Sequence, residues 1–228
     1  MDCELSELVN QHVNAALWDC CPSYFIEHVK YDGLTQIIEK AILEDAIAFA
    51  KKDPAARKNP HHIILGYTSF RAILHYRIAN LIFKHSQCNA DAESYSSIIS
   101  SRGKFLSGAE LHHRSSIGRR FVLDHGVGTV IGETSIIGDD CYVLGGVTLG
   151  AFGISDNPGG KRHPTIGARV QIGAYSRIFG NICIGDDVFI GPNCIITQDI
   201  PKKTKVTLKS NLQIHKDFRH HAVQLKEP

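Results

Sequence analysis

Ile166 to Ile196 read IGARVQ IGAYSR IFGNIC IGDDVF IGPNCI I, with an isoleucine at every sixth position: Ile166, Ile172, Ile178, Ile184, Ile190 and Ile196. An earlier run, Ile131, Ile137, Val143 and Leu149, keeps the same step. Four residues after the aliphatic stands a second small or β-branched residue, as at Ser135, Cys141, Val147, Val170, Ser176, Val188 and Cys194. Neither the 3.6-residue period of a helix nor the alternation of a strand repeats at six. A triangular coil does, which makes this the hexapeptide repeat of a parallel β-helix. One coil is too small to bury its own interior, so stacked neighbours supply the core.

The pattern runs from Leu111 to Pro201 and is interrupted twice. Between Leu123 and Ile131 the step is eight, across Asp124-His125-Gly126-Val127-Gly128. After Leu149, Gly150 to Thr165 leave the coil as one loop containing four glycines, two prolines, Arg162 and His163. Insertions in a solenoid map to loops on one face, and such loops tend to carry function.

Ahead of the repeat the apolar spacing changes to three and four. Leu5, Leu8, Val9, Val13, Ala16 and Leu17 predict a helix that Pro22 ends. Leu34, Ile37, Ile38, Ala41, Ile42, Ala48 and Phe49 predict a second helix before Asp53-Pro54. A third, from near Pro60 through Ile82, is apolar over much of its circumference, as expected of a helix packed between others. Residues 85–104, rich in Ser, Asn, Asp and Ala, read as a linker in which a short helix is left open. The expected class is α+β: a helical N-terminal domain with its linker over 1–104, a β-helix of hexapeptide repeats over 105–201, and a basic, polar tail over 202–228.

The chain has 228 residues, 43% of them apolar, and a net charge of +2 that makes no electrostatic case for nucleic acid. No apolar run reaches the roughly 18 residues of a membrane span, and no signal-peptide pattern opens the chain. Cys3, Cys20, Cys21, Cys88, Cys141, Cys183 and Cys194 form no C-x-x-C pair. A reduced, cytoplasmic protein without membrane or nucleic-acid partners is expected.

The two interruptions hold the chemistry. Histidine suits general-base work near neutral pH, so His125 is the candidate base, with Glu110, one coil earlier, as the acid that could orient it. Arg162, in a glycine-rich loop beside His163, could clamp a carboxylate through two parallel hydrogen bonds. The two groups could converge within one subunit or across a trimer interface. His61-His62, His112-His113 and His220-His221 invite a metal reading, but neighbours on a strand point to opposite faces. No His-x4-His spacing occurs between residues 111 and 201, so no metal is expected.

Val122-Leu123-Asp124-His125, Ile131-Gly132-Glu133-Thr134, Val147-Thr148-Leu149-Gly150 and Gly159-Gly160-Lys161-Arg162-His163-Pro164 together resemble the serine O-acetyltransferases. So does Asp53-Pro54-Ala55 ahead of an apolar helix with Tyr76-Arg77-Ile78, and the resemblance spans residues 30–201. It implies a left-handed β-helix that moves the acetyl group of acetyl-CoA to the hydroxyl of L-serine, a step towards cysteine. It implies His125 as general base, Glu110 as its orienting acid, and Asp53, Asp124, Arg162 and His163 as serine-binding residues. It also implies acetyl-CoA between neighbouring subunits of a homotrimer or a dimer of trimers, with Gly150, Ala151, Gly173 and Ala174 along it.

Several positions depart from the family. Glu110-Leu111-His112-His113 stands for Asp-Ile-His-Pro, Ala151 for a glycine, and Gly173-Ala174-Tyr175 for Gly-Ala-Gly; the loop before Arg162 is longer than usual. The chain ends in Pro228 rather than the isoleucine that inserts into O-acetylserine sulfhydrylase, which argues against that complex. Two other outcomes are held open: the same chemistry on another small hydroxyl acceptor, and a non-catalytic trimeric scaffold.

Overall fold

The computed structural model describes residues 3–85, 91–155 and 159–209. Cys88, His220-His221 and most of the tail, Pro228 included, lie outside the described residues. Among the described residues six α-helices come first: α1 (Cys3–Cys20), α2 (Ser23–Tyr31), α3 (Leu34–Lys52), α4 (Pro60–Gly66), α5 (Thr68–His85) and α6 (Ala92–Ser107). α1 buries Leu5, Val9, Val13, Ala16 and Leu17, the face its spacing calls for. The third predicted helix is two. Asn59 caps α4 by accepting from the N–H groups of His61 and His62, and Tyr67, in extended backbone, separates α4 from α5.

The linker reading needs correction, because most of it is α6. Its buried face is Ala92, Ser96, Ile99, Gly103 and Ser107, nearly all small. These residues bring α6 close to α5: a methyl on Gly103 would lie 2.6 Å from His75 Cβ. Serine and glycine mark a close helix contact here, where composition points to a loop.

Among the described residues fourteen short strands follow, in nearly five coils, stacked into three parallel sheets. The first sheet holds β1 (Glu110–Leu111), β4 (Val130–Ile131), β7 (Thr148–Gly150), β10 (Arg177–Phe179) and β13 (Ile195–Ile196). The second holds β2 (Ser116–Ile117), β5 (Ile136–Ile137), β8 (Thr165–Ile166) and β11 (Cys183–Ile184). The third holds β3 (Val122–Asp124), β6 (Tyr142–Leu144), β9 (Gln171–Ile172), β12 (Phe189–Ile190) and β14 (Lys205–Val206). The six-residue aliphatics stack inward, Leu111 on Ile131, Leu149, Ile178 and Ile196 in the first sheet. All five are 4% exposed or less, and each such burial stabilises by about 1.5–3 kcal/mol. Both interruptions fall at corners between sheets, so the strands above and below stay in register.

One corner is built from residues that pay a backbone penalty. Arg120, Asp140, Arg169, Asp187 and Lys203 each stand two residues before a strand of the third sheet, with φ between 56° and 63°. A non-glycine residue there costs roughly 1–2 kcal/mol. Arg120 donates to Asp140 at 2.7 Å from both Nε and Nη2, and Arg169 donates to Asp187 at 2.7 and 2.9 Å. The charge alternates coil by coil.

α5 joins the helices to the first coil. Tyr76 donates its hydroxyl proton to Ser115 O and accepts from the Ile117 N–H, both at 2.9 Å. Arg77 donates to Asp45 from Nε at 2.7 Å and Nη2 at 3.2 Å, and from Nη1 to Ile117 O at 2.7 Å. The Phe121 N–H donates to the same carboxylate at 2.9 Å, so both charges are buried and satisfied. This join sets α3 and its final residue, Lys52, against the coils; the Lys52 ammonium donates to Asp140 O at 2.8 Å.

Candidate functional site

Asp53, Asp124 and His125 come together in a cleft of about 360 Å³, between the helices and the corner after β3. Asp53 ends α3, where its Oδ1 accepts from the Ala55 N–H at 2.9 Å. That turn leaves Oδ2 towards the cleft, where the Tyr67 hydroxyl donates to it at 2.6 Å. Asp124 ends β3, and the Tyr142 hydroxyl, one coil on, donates to its Oδ2 at 2.8 Å. Each acid is thus held by a tyrosine. Bonding to Asp53 pushes the Tyr67 hydroxyl up to about 12, and burial followed by the Asp124 bond raises that of Tyr142, so both remain donors.

His125 follows in the left-handed region, φ 61°, and a pair of tight turn bonds continues the corner: Gly126 N–H to Asp124 O and Val127 N–H to His125 O, both 2.8 Å. Gly126 is needed there, since its φ is 69° and a methyl would lie 2.9 Å from Ser69 Cβ of α5. The His125 side chain is 83% exposed, with Nε2 3.9 Å from Asp124 Oδ2.

Arg162 and His163 lie at a different corner, between the first and second sheets, docked on the turn after β4. The Thr134 hydroxyl accepts from the N–H groups of Arg162 and His163, each at 3.0 Å, and lies 2.8 Å from His163 Nδ1. The His163 ring covers Gly132 and is 8% exposed. Arg162 is ion-paired with Glu133, which also accepts from Arg114 Nη1 at 2.9 Å. Arg162, foremost, holds the Glu133 carboxyl below the usual range, whereas burial and then Arg162 lower His163. Arg114 in turn binds Glu93 of α6 at 2.7 Å, and Glu93 meets His113 Nε2 at 3.1 Å.

Glu110 is bonded to α6 rather than to His125. Its Oε2 accepts from Lys104 Nζ at 2.5 Å, in a groove it shares with His112. His112 and His113 do not point to opposite faces, because they follow the strand and occupy a turn. Their rings stack 4.7 Å apart. Among the described residues no three His, Cys, Asp or Glu side chains are grouped to hold a metal ion, and no helix is long and apolar enough to cross a membrane.

Gly150 closes β7 where the long loop departs, and Ala151 follows it. A methyl on Gly150 would lie 2.8 Å from the Phe179 ring. Gly173 has a packing reason of its own: a methyl would come 2.5 Å from Pro192 N of the next coil. Ala174 O accepts from the Asn193 N–H at 2.9 Å, and Tyr175 adopts φ 60° with its ring over Gly146.

Sequence reasoning passed over Tyr67, Tyr142, Thr134 and Lys104. Tyr142 was within reach, since one coil with its eight-residue step places it on Val122, two residues before Asp124 on the same strand. The others depend on how the helices and the long loop settle on the coils.

Residues 163–198 match the bacterial transferase hexapeptide (six repeats) family. A serine acetyltransferase of Helicobacter pylori is 42% identical over 151 residues, 66% of this chain and 83% of that one. One from Bacillus pumilus is 35% identical over 188 residues, 79% and 82% of the two chains. Among solved structures, Entamoeba histolytica serine acetyltransferase isoform 3 in complex with cysteine superposes with a TM-score of 0.71 at 35% identity, covering 92% of this chain and 74% of that one. The Neisseria gonorrhoeae serine acetyltransferase in complex with serine gives 0.74 at 29% identity, over 90% and 81%.

Proposed function

The chain belongs to the serine acetyltransferase family, and from that premise we propose that His125 is the general base of a site in which Asp53 and Asp124 hold the acceptor. The reaction is acetyl transfer to L-serine, giving O-acetyl-L-serine for cysteine synthesis, with acetyl-CoA as donor. One observation carries the assignment: two carboxylates, each fixed by a tyrosine hydroxyl, share a cleft with an exposed histidine. An ammonium between Asp53 and Asp124 is matched in charge and leaves the serine hydroxyl free to face the imidazole. His125 takes the hydroxyl proton as the oxygen attacks the thioester carbonyl. The tetrahedral intermediate then collapses, the C–S bond breaks, and the proton passes to the departing thiolate. Backbone N–H groups at Gly150-Ala151 are the donors we assign to the developing oxyanion, with Gly173 and Ala174 further along the CoA groove.

Arg162 and His163 sit at another corner of the same chain, so a site that uses all these groups needs a second copy. In a homotrimer, one chain's Asp124-His125 corner faces its neighbour's Arg162-His163 corner, and two such trimers can join through their helices. The helical part, which runs through Ser107, supplies Asp53, and the coils, from Glu110 to Val206, supply the remaining groups. Lys104 holds Oε2 of Glu110 and leaves Oε1 for the orienting role; within one chain Asp124 is the acid nearer the imidazole.

The test is thiol release from acetyl-CoA with L-serine, D-serine, homoserine and threonine, for the native chain and His125→Ala. L-serine is expected to be preferred, and His125→Ala to lower kcat by about 10²–10⁴-fold. Undiminished turnover in that variant would remove His125 from the chemistry.

A further inference from the structure

The contacts of one threonine decide where His163 keeps its proton. The Thr134 oxygen accepts from two backbone N–H groups, those of Arg162 and His163, each at 3.0 Å. A hydroxyl offers two lone pairs and one proton, so both acceptor positions are filled. Its proton is left for the third polar atom in reach, His163 Nδ1, at 2.8 Å. The Thr134 backbone N–H donates to that same nitrogen at 3.2 Å. A ring nitrogen that receives donors carries no proton, so the neutral imidazole is protonated on Nε2. Turning the ring over would set carbon against both donors and forfeit both bonds.

We propose, building on the acetyl-transfer reading above, that Thr134 is a positioning residue that locks His163 as a neutral Nε2–H donor to an oxygen of the bound acceptor. The lock bars this ring from acting as a base.

The surroundings agree. Lys161 and Arg162 face the ring from its own segment, and His112 and Glu133 from the neighbouring coils. Burial disfavours a second proton most, the two cations add to that, and Glu133, itself held by Arg162 and Arg114, works against them. The ring lies over Gly132, where a side chain would strike Nε2 itself. His125 is the opposite case, with 83% of its side chain exposed and no comparable bracket. One histidine is built to change its protonation during turnover and the other to keep it. That division matches a reaction needing one base and one steady donor.

The experiment is ¹⁵N NMR of the full chain labelled at histidine, with His163 assigned by its loss in His163→Gln. His163 is expected to show a bare Nδ1 and a protonated Nε2. It should stay neutral as pH falls from about 7.5 to about 6, where a free imidazole takes up its proton. Thr134→Val removes the hydroxyl at nearly constant shape. It is expected to let His163 take up its proton at higher pH and to raise KM for L-serine about tenfold, with a smaller change in kcat. Thr134→Ser should restore both. A native His163 protonated on Nδ1, or charged at pH 6.5, overturns the lock, as does a valine variant that matches the native chain in tautomer and KM. Should the valine variant fail to fold, the native and serine spectra decide. These spectra need no substrate: a chain unable to acetylate L-serine would sink the functional assignment and leave the lock standing.

Discussion

Gly132→Ala tests how tightly His163 is seated. The backbone at Gly132 lies outside the left-handed region, so alanine is allowed there and the only obstacle is space. Its methyl would lie 2.1 Å from both Cδ2 and Nε2 of His163, so the ring must retreat by about 1.3 Å to reach ordinary contact at 3.4 Å. The ring cannot swing freely, because Thr134 holds its Nδ1 and its backbone N–H. Either those bonds break or the coil deforms. Overpacking of this size costs about 1–3 kcal/mol. For a chain of this length that lowers Tm by roughly 2–4 °C per kcal/mol. The catalytic loss is expected to be larger, since a displacement of about 1 Å in a positioned group can cost on the order of 10²-fold in rate. Steady-state kinetics with acetyl-CoA and L-serine, beside a thermal melt, give both numbers. Gly159→Ala, in the loop that carries His163, is the control: nothing lies within 4 Å of its added methyl, and neither number should move. If Gly132→Ala keeps kcat/KM within about threefold of the native chain, the ring is not seated as described and the reasoning from Thr134 fails with it.

Two further outcomes concern stability. Arg77→Leu strands the Asp45 carboxylate at 0% exposure, and urea unfolding should show a loss of about 3–5 kcal/mol. Acid should act in two stages. His12, His75, His112 and His163 all have pKa values lowered chiefly by burial, so the unfolded chain binds protons more readily than the folded one. Their share of stability is complete above about pH 6.5 and shrinks as pH falls towards their folded values. Glu44, Glu133 and Asp140, lowered mainly by arginine hydrogen bonds, lose theirs only at lower pH. A urea midpoint unchanged between about pH 7.5 and 5.5 would refute the first stage.

The coils were legible because their rule is local. Every sixth residue faces inward whatever the neighbours do, so Ile166 to Ile196 announced the interior, and the irregular steps after Leu123 and Leu149 announced two corners. The helices were harder. The apolar face of α1 obeyed its period and that of α3 did so except at Ile37, which is exposed, but α6 buries serines and glycine, and close packing of small residues leaves no mark in hydropathy. Asp124-His125 and Arg162-His163 were visible as pairs of reactive residues at interruptions. Their assignment to separate corners was not, because it depends on counting which side of the triangle each loop leaves. Glu110 shows the same limit: nothing in its motif indicates that Lys104, six residues earlier on a helix, takes its carboxylate.

The corner of Arg120, Asp140, Arg169, Asp187 and Lys203 does more than hold neighbouring coils together. Its ion pairs are exposed, and each adds little stability. Their order matters more than their strength. Identical hydrophobic rungs would stack as well after a slip of one coil, since isoleucine meets isoleucine either way. The charges would not: skipping one coil sets arginine against arginine, or aspartate against aspartate, at that junction. The edge therefore works as a parity check on a repetitive molecule. It follows that this solenoid can gain or lose coils in pairs without conflict, whereas a single coil added or removed at this edge brings like charges together.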